Sequence, residues 1–321
     1  MLAIVHIGLP KTGSTSIQRF LRNNNSILAD EKVEVRCDGS ELLNQTGKGS
    51  SLSTPHGECG TWIYSDERLS FAAKHQTTVE RMIGSVSQFA TQVRVLAYVR
   101  RQDEVFISSY FSRLLRGEQR RFAELQQAPL QRPFKQLRPW EKEVGRDNLI
   151  VRRYGKSYLH KGLISDFQKH CGLGGMQLTV PPNSNISPSL EMLELLRLLN
   201  VRFYDHPLRH MLLKKIARLD VGVGRLGMSR RARMQLVSKI EDEQNVVAAR
   251  YLDLPQLFDH EYEDNHTDQP SLSAEQVIEM ADRAEIELQM MAVDKNDLEK
   301  VLDAFFAAAK MEKFSDIQSL G

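Results

Sequence analysis

Residues 6–15 read HIGLPKTGST, and the chain on either side of them decides the fold. Leu2–Ile7 is a short, nearly continuous apolar run that stops at Gly8, the pattern of a strand buried on both faces. From Ser14 onward Ile17, Phe20 and Leu21 keep the spacing of one helical face, and NNN at 23–25 ends it. A strand, a glycine-bearing loop and a helix in that order turn backbone N–H groups and the positive helix end toward an anion. In a nucleotide triphosphatase such a loop reads GxxxxGK(S/T), with a lysine after the last glycine reaching the outer phosphates. Here Gly8 and Gly13 keep the glycine spacing, but position 14 is serine and the only lysine, Lys11, lies inside the loop. A triphosphate would be poorly neutralised by it, and only IYSDE offers an arguable aspartate for Mg²⁺.

Outward from this loop the pattern repeats. TWIYSDE gives a second strand ending in two acids, QVRVLAYVRR a third ending in two arginines, and NLIVRRY (148–154) a fourth. Each is followed by a helical stretch; the one after the third strand starts near Asp103 and Glu104, acids suited to a first turn. Strands alternating with helices predict an α/β protein with a parallel, doubly wound sheet, in which ligands sit outside the carboxyl ends of the strands. Lys11, Glu67 and Arg100 follow strands and are therefore expected to converge on one crevice. Residues 37–61 are rich in Gly, Ser and Thr and read as a long surface loop of the kind that carries function. Beyond Pro188 the pattern is helical, with a turn-rich gap at 259–271, so a soft boundary is drawn near residue 185.

Composition narrows the class. With 321 residues, 41% hydrophobic and 26% charged, the chain is that of an ordinary globular protein. No stretch has the roughly 18 apolar residues of a membrane span, and the N-terminus has no signal-peptide pattern, so a cytoplasmic enzyme is expected. Cys37, Cys59 and Cys171 are scattered and form no CxxC, which argues against a disulfide framework or a zinc site. The net charge of +2 hides an asymmetry: residues 94–153 carry fourteen Lys/Arg against seven Asp/Glu, while 241–299 carry three against seventeen. No nucleic-acid motif or regular aromatic spacing accompanies the basic middle, so a small polyanionic ligand or anionic acceptor suits it better. The alternative is that the acidic tail packs on it.

At this point two stretches carry a resemblance. HIGLPKTGSTSIQ resembles the 5′-phosphosulfate loop, PKxGxT, of sulfotransferases that use 3′-phosphoadenosine 5′-phosphosulfate (PAPS), and YVRRQDEVFISSYF resembles their second motif. That motif sets an arginine at a strand end and a serine eight residues on, both binding the 3′-phosphate; Arg100 and Ser108 fit it. An arginine offers a planar fork of donors to a phosphate, and a serine on the next helix adds a hydroxyl from another direction. SDERLS, GRDNLIVRRY, GLISDF and SPSLEMLELLRLLN are similar to elements of the bacterial branch of the family. The resemblance implies a three-layer P-loop-like fold, a central parallel sheet flanked by helices, with a helical C-terminal part. It divides the chain into a PAPS-binding core at 1–185 and an extension at 186–321 that packs on the core and completes the acceptor site.

It also implies roles. Pro10, Lys11, Thr12, Gly13, Ser14 and Thr15 would cradle the 5′-phosphate, and Lys11 would stabilise the oxygen that leaves as the sulfuryl group departs. Neither a metal nor a phosphorylated enzyme intermediate is required. A general base is needed for the acceptor hydroxyl: Glu67, at a strand end, is the first candidate, His56 in the polar loop the second, and Asp66 a supporting residue. Arg101, Arg152 and Arg153 are left between cofactor contacts and ordinary salt bridges, and no late RKG-type motif is present. The acceptor is expected to be a glycan or glycolipid hydroxyl, or an amine. The competing readings are a P-loop kinase or NTPase with a displaced lysine, and a non-catalytic nucleotide- or glycan-binding module of the same fold.

Overall fold

A computed structural model describes residues 1–37, 59–125, 130, 132–182, 188–217, 224–262, 264–265, 267, 270–283 and 296–310. Five strands, β1 (Leu2–Ile7), β2 (Val33–Arg36), β3 (Thr61–Asp66), β4 (Gln92–Arg100) and β5 (Leu149–Tyr154), form one parallel sheet in the order β2-β3-β1-β4-β5. Between them run helices α1 (Ser14–Asn23), α2 (Asn25–Asp30), α3 (Leu69–Ala72), α4 (Gln76–Val86), α5 (Gln102–Leu115) and α6 (Pro133–Val144). Then follow α7 (Leu163–His170), α8 (Leu190–Arg202), α9 (Arg209–Ile216) and α10 (Arg230–Ser238). The described chain ends with α11 (Glu241–Leu252), α12 (Ala274–Arg283) and α13 (Leu298–Lys310). The three-layer α/β architecture is thus the one the strand–helix alternation predicts.

The central strands are apolar on both faces because both are covered. Ile4, Ile63, Leu96 and Tyr98 meet Ile17, Phe20 and Leu21 of α1 and Phe167 of α7 on one side. Ala3, Val5, Ile7, Trp62, Val95, Ala97 and Val99 meet α4, α6 and α11 on the other. At ten residues α1 is too short to hold its shape alone. Ile17, Phe20 and Leu21, each 0% exposed, contribute roughly 1.5–3 kcal/mol apiece by burial, so packing and not propensity makes this helix. The short strand β2 is not among the predicted elements. It is a four-residue edge strand with Glu34 and Arg36 paired beside each other, and only Val33 is fully buried.

The register matters for the site. Ile7 pairs with Asp66 of β3, whereas His6 lies opposite Leu96, so Arg100 extends beyond the end of β1 by three residues, about 10 Å. Arg100 itself pairs with Tyr154 of β5. The order of strands reverses at β1 and β4, the place where doubly wound sheets open a crevice.

The chain forms two compact units that interleave in sequence. The sheet belongs to the first, which comprises 1–105, 130–185 and 237–261. The segment 237–261 overlaps the acidic part of the sequence, and Glu243 meets the basic middle: it lies 3.7 Å from Arg132 and accepts from the N–H of Phe134. Glu141 accepts from Arg250 and Tyr251 on α11. The second unit, 106–129, 186–236 and 262–321, is helical. Inside it the buried Glu194 binds Arg197 at 2.7 Å and Arg121 at 3.3 Å, and Phe203 stacks on Phe306. No helix among the described residues is long and apolar enough to cross a membrane.

Candidate functional site

The loop between β1 and α1 is closed by short-range bonds. Gly8 N–H donates to Asp66 O of β3, and Thr12 Oγ1 donates to Leu9 O at 2.6 Å. Gly8 is sandwiched: a Cβ there would overlap the Ser14 side chain and come within 3.0 Å of Glu67 Cα. Lys11 (φ 64°) and Gly13 (φ 80°) are both left-handed, and a Cβ at Gly13 would overlap Leu163 Cδ2. Only glycine takes these close approaches without strain.

That geometry leaves an anion cradle. Gly13 O accepts from the N–H groups of Ser16 and Ile17, starting α1. The N–H groups of Thr12, Gly13, Ser14 and Thr15 donate no hydrogen bond among the described residues. The Ser14 hydroxyl is buried without a hydrogen-bond partner, a condition that costs roughly 1–3 kcal/mol unless a ligand or water meets it. A phosphate ester fits this donor set, which offers backbone N–H groups, a hydroxyl and the helix dipole. Pro10 and Lys11 are half-buried on the loop, and Thr15 is exposed.

Arg100 reaches the same loop from β4. Its Nη1 donates to Lys11 O at 2.9 Å, its Nε donates to Glu104 Oε2 at 3.0 Å, and the guanidinium lies 5.1 Å from the Tyr154 ring centroid. Tyr154 Cε2 would lie 3.3 Å from a Cβ on Gly13, so one ring supports both the arginine and the loop. Glu104 and Tyr154 were not predicted to belong here. The i,i+4 spacing of Arg100 and Glu104 was the available signal; for Tyr154 it was the parallel pairing of two strand ends, which no local pattern shows. Ser108 is half-buried in α5 and belongs to the second unit.

Glu67 follows β3 directly; its side chain is exposed and its backbone lies against Gly8. Its carbonyl accepts from Ser70, which starts α3. Asp66, weighed as a support for the base, is engaged by Arg68: Nη2 donates to Oδ2 at 2.6 Å and the backbone N–H to Oδ1 at 2.7 Å. His56 lies outside the described residues. Beneath the loop, His6 shares a hydrogen bond of 2.8 Å with Ser65 and is walled in by Tyr98 and Phe167. Burial lowers its pKa to about 3, so it is a neutral structural side chain at physiological pH.

The other arginines are occupied. Arg101 donates to both oxygens of Asp103, at 2.8 and 3.1 Å, and to Glu261 O at 2.7 Å, with Asp259 at 3.4 Å. Arg152 pairs with Asp166 at 2.7 Å, while Arg153 stacks over Tyr158 at 4.2 Å. Asp166 also accepts from Tyr98, whose hydroxyl pKa is raised by burial and by that carboxylate.

Comparison with known proteins adds little at the level of residues. No protein-family model matches the chain, and no curated protein matches it. Among solved structures, a sulfotransferase from Alicyclobacillus acidocaldarius is similar over 66% of this chain and 95% of its own, with 12% identity and a TM-score of 0.37.

Proposed function

We propose that this protein is a sulfotransferase that moves a sulfuryl group from PAPS to a hydroxyl, or an amine, of a glycan or glycolipid acceptor. One observation carries the reading: the loop's only lysine, Lys11, is held left-handed in the middle of a phosphate cradle, and Ser14 occupies the place where a triphosphatase has lysine. The bound donor would supply an activated sulfuryl group, whose bond to the bridging oxygen breaks as a new bond to the acceptor forms. Thr12, Gly13, Ser14 and Thr15 would hold the 5′-phosphate with N–H groups and hydroxyls, and the buried Ser14 hydroxyl would gain its missing partner. Lys11 would stabilise the negative charge that develops on the departing oxygen, an interaction absent in the ground state and therefore catalytic. Glu67 would take the acceptor proton, since it is exposed beside the loop; His56 is its alternative. Arg100 carries five N–H donors, enough to serve a carbonyl, a carboxylate and the 3′-phosphate together. For Ser108 the same phosphate role rests on its motif spacing.

Nucleotide binding tests this against the kinase reading. The product 3′-phosphoadenosine 5′-phosphate (PAP) should raise the melting temperature without Mg²⁺, and ATP with Mg²⁺ should not. Labelled PAPS should then transfer its sulfate to an acceptor from a glycan panel. Stabilisation by ATP–Mg²⁺ and not by PAP would overturn the proposal; PAP binding without transfer to any acceptor would favour the non-catalytic module.

A further inference from the structure

The bond from Arg100 to the loop has a consequence beyond phosphate binding. Lys11 is a non-glycine residue at φ 64°, a conformation that persists only where its surroundings enforce it. Arg100 Nη1 donates to Lys11 O at 2.9 Å, and Arg100 is itself met by Glu104 at 3.0 Å and by the Tyr154 ring. Glu104 also faces Arg101 at 3.8 Å, so its carboxylate lies between two guanidinium groups. Because a trans peptide points its C=O and N–H in opposite directions, a donor fixed on Lys11 O also fixes where the Thr12 N–H points. If that peptide turned over, the cradle would lose one donor and the Lys11 side chain would leave from a different backbone conformation.

We propose that Glu104 is a positioning residue: acting through Arg100, it holds the Lys11–Thr12 peptide in one orientation, and so sets both the Lys11 ammonium and the Thr12 N–H for the reacting end of the nucleotide. The inference rests on the sulfotransferase reading for its catalytic half and on hydrogen-bond geometry alone for its structural half. It differs from a direct role because Glu104 touches no reacting atom; its effect passes through a carbonyl 89 residues away from the arginine that grips it.

The sequence makes a direct test available, since Lys11–Thr12 is the only Lys–Thr pair in the chain. Protein carrying ¹³C-carbonyl lysine and ¹⁵N-threonine gives a single carbonyl–amide cross-peak from that peptide. Glu104→Ala should shift this cross-peak and lower kcat about tenfold, while Glu104→Gln, which keeps an acceptor for Arg100 Nε, should recover most of both. In a Lys11→Ala background Glu104→Ala should lower the residual kcat by clearly less than about tenfold, because the share that acts through the ammonium is already lost and only the Thr12 N–H share remains. Thermal unfolding of each variant shows that it is folded. A cross-peak unmoved by Glu104→Ala in an active enzyme, or kcat losses that multiply in the double variant, would overturn the positioning role and leave the sulfotransferase reading standing. If the wild type transfers no labelled sulfate, that reading fails and takes the catalytic half with it, while the cross-peak still decides the structural half.

Discussion

Arg100 and Arg101 are neighbours in sequence, yet they lie in two differently built regions. Arg100 lies on the α1 and α7 side, where its partners are a loop carbonyl, one carboxylate and the face of Tyr154. Arg101 meets the carboxylate of Asp103, 0% exposed, the carboxylate of Asp259 and the main-chain carbonyl of Glu261, the last two from the segment that follows α11. In the first arrangement part of a guanidinium meets a loop carbonyl; in the second the guanidinium is shared between a fully buried carboxylate and its neighbours. A strand ending in two arginines therefore supplies one residue to the candidate site and one to stability, and the partners decide which.

The largest effect should come from breaking the loop side. Lys11→Ala is expected to lower transfer of labelled sulfate from PAPS by about 10²–10³-fold, with the urea midpoint unchanged, since Lys11 fills no core position. An equal fall in stability would mean that the lysine is structural.

The opposite side should respond in the opposite currency. Arg101→Ala leaves Asp103 buried without its main partner, which should cost about 3 kcal/mol in urea unfolding while sparing nucleotide binding. A loss under about 1 kcal/mol would put this pair with ordinary exposed ion pairs.

Acid should sharpen the contrast, because the loop side covers a histidine with no carboxylate to charge it. The folded-state pKa of His6 is about 3, below its ordinary value of 6.5, so the unfolded chain binds the proton first as pH falls. Its contribution is complete above pH 6.5 and is lost between there and pH 3; near pH 5 the loss is about 2 kcal/mol. Between pH 6.5 and 3 the stability of wild type should fall more steeply with pH than that of His6→Gln, which lacks this component. Parallel slopes would show that His6 titrates normally.

The smallest expected effect is at the loop's second glycine. Gly13→Ala should cost about 1 kcal/mol of stability, from a left-handed φ that disfavours a Cβ and from displacement of Leu163. Its clearer signature should be a loss of PAP-induced stabilisation relative to wild type, measured by thermal shift.

Much of the fold was legible in local pattern. The spans of β1, β3, β4, β5 and α1 follow from apolar runs and helical spacing, because a strand covered on both faces has little freedom in composition. The edge strand β2 escaped notice: with one fully buried side chain, Val33–Arg36 bears hardly any core signature. In the candidate site, Lys11, Glu67 and Arg100 could be nominated from their positions after strands and Ser14 from the loop's resemblance, and the structure brings Lys11 and Arg100 into direct contact and Glu67 against Gly8. The pairing of Asp66 with Arg68 could not be read from the sequence, since only geometry shows Arg68 folding back onto it.

Strand, loop and helix identity, and the unusual place of the loop lysine, are properties of neighbouring residues, so the amino-acid order alone was enough to establish them. The fate of each charge was not of that kind. Whether an arginine faces a ligand or a carboxylate depended on residues such as Asp259, 158 positions away from Arg101, and on a helix, α11, that returns from the acidic part of the chain to cover the sheet. The left-handed Lys11 likewise meets, at its carbonyl, a donor from another strand. Short-range sterics and hydrophobic spacing write the elements; electrostatic pairing across long loops assigns their tasks.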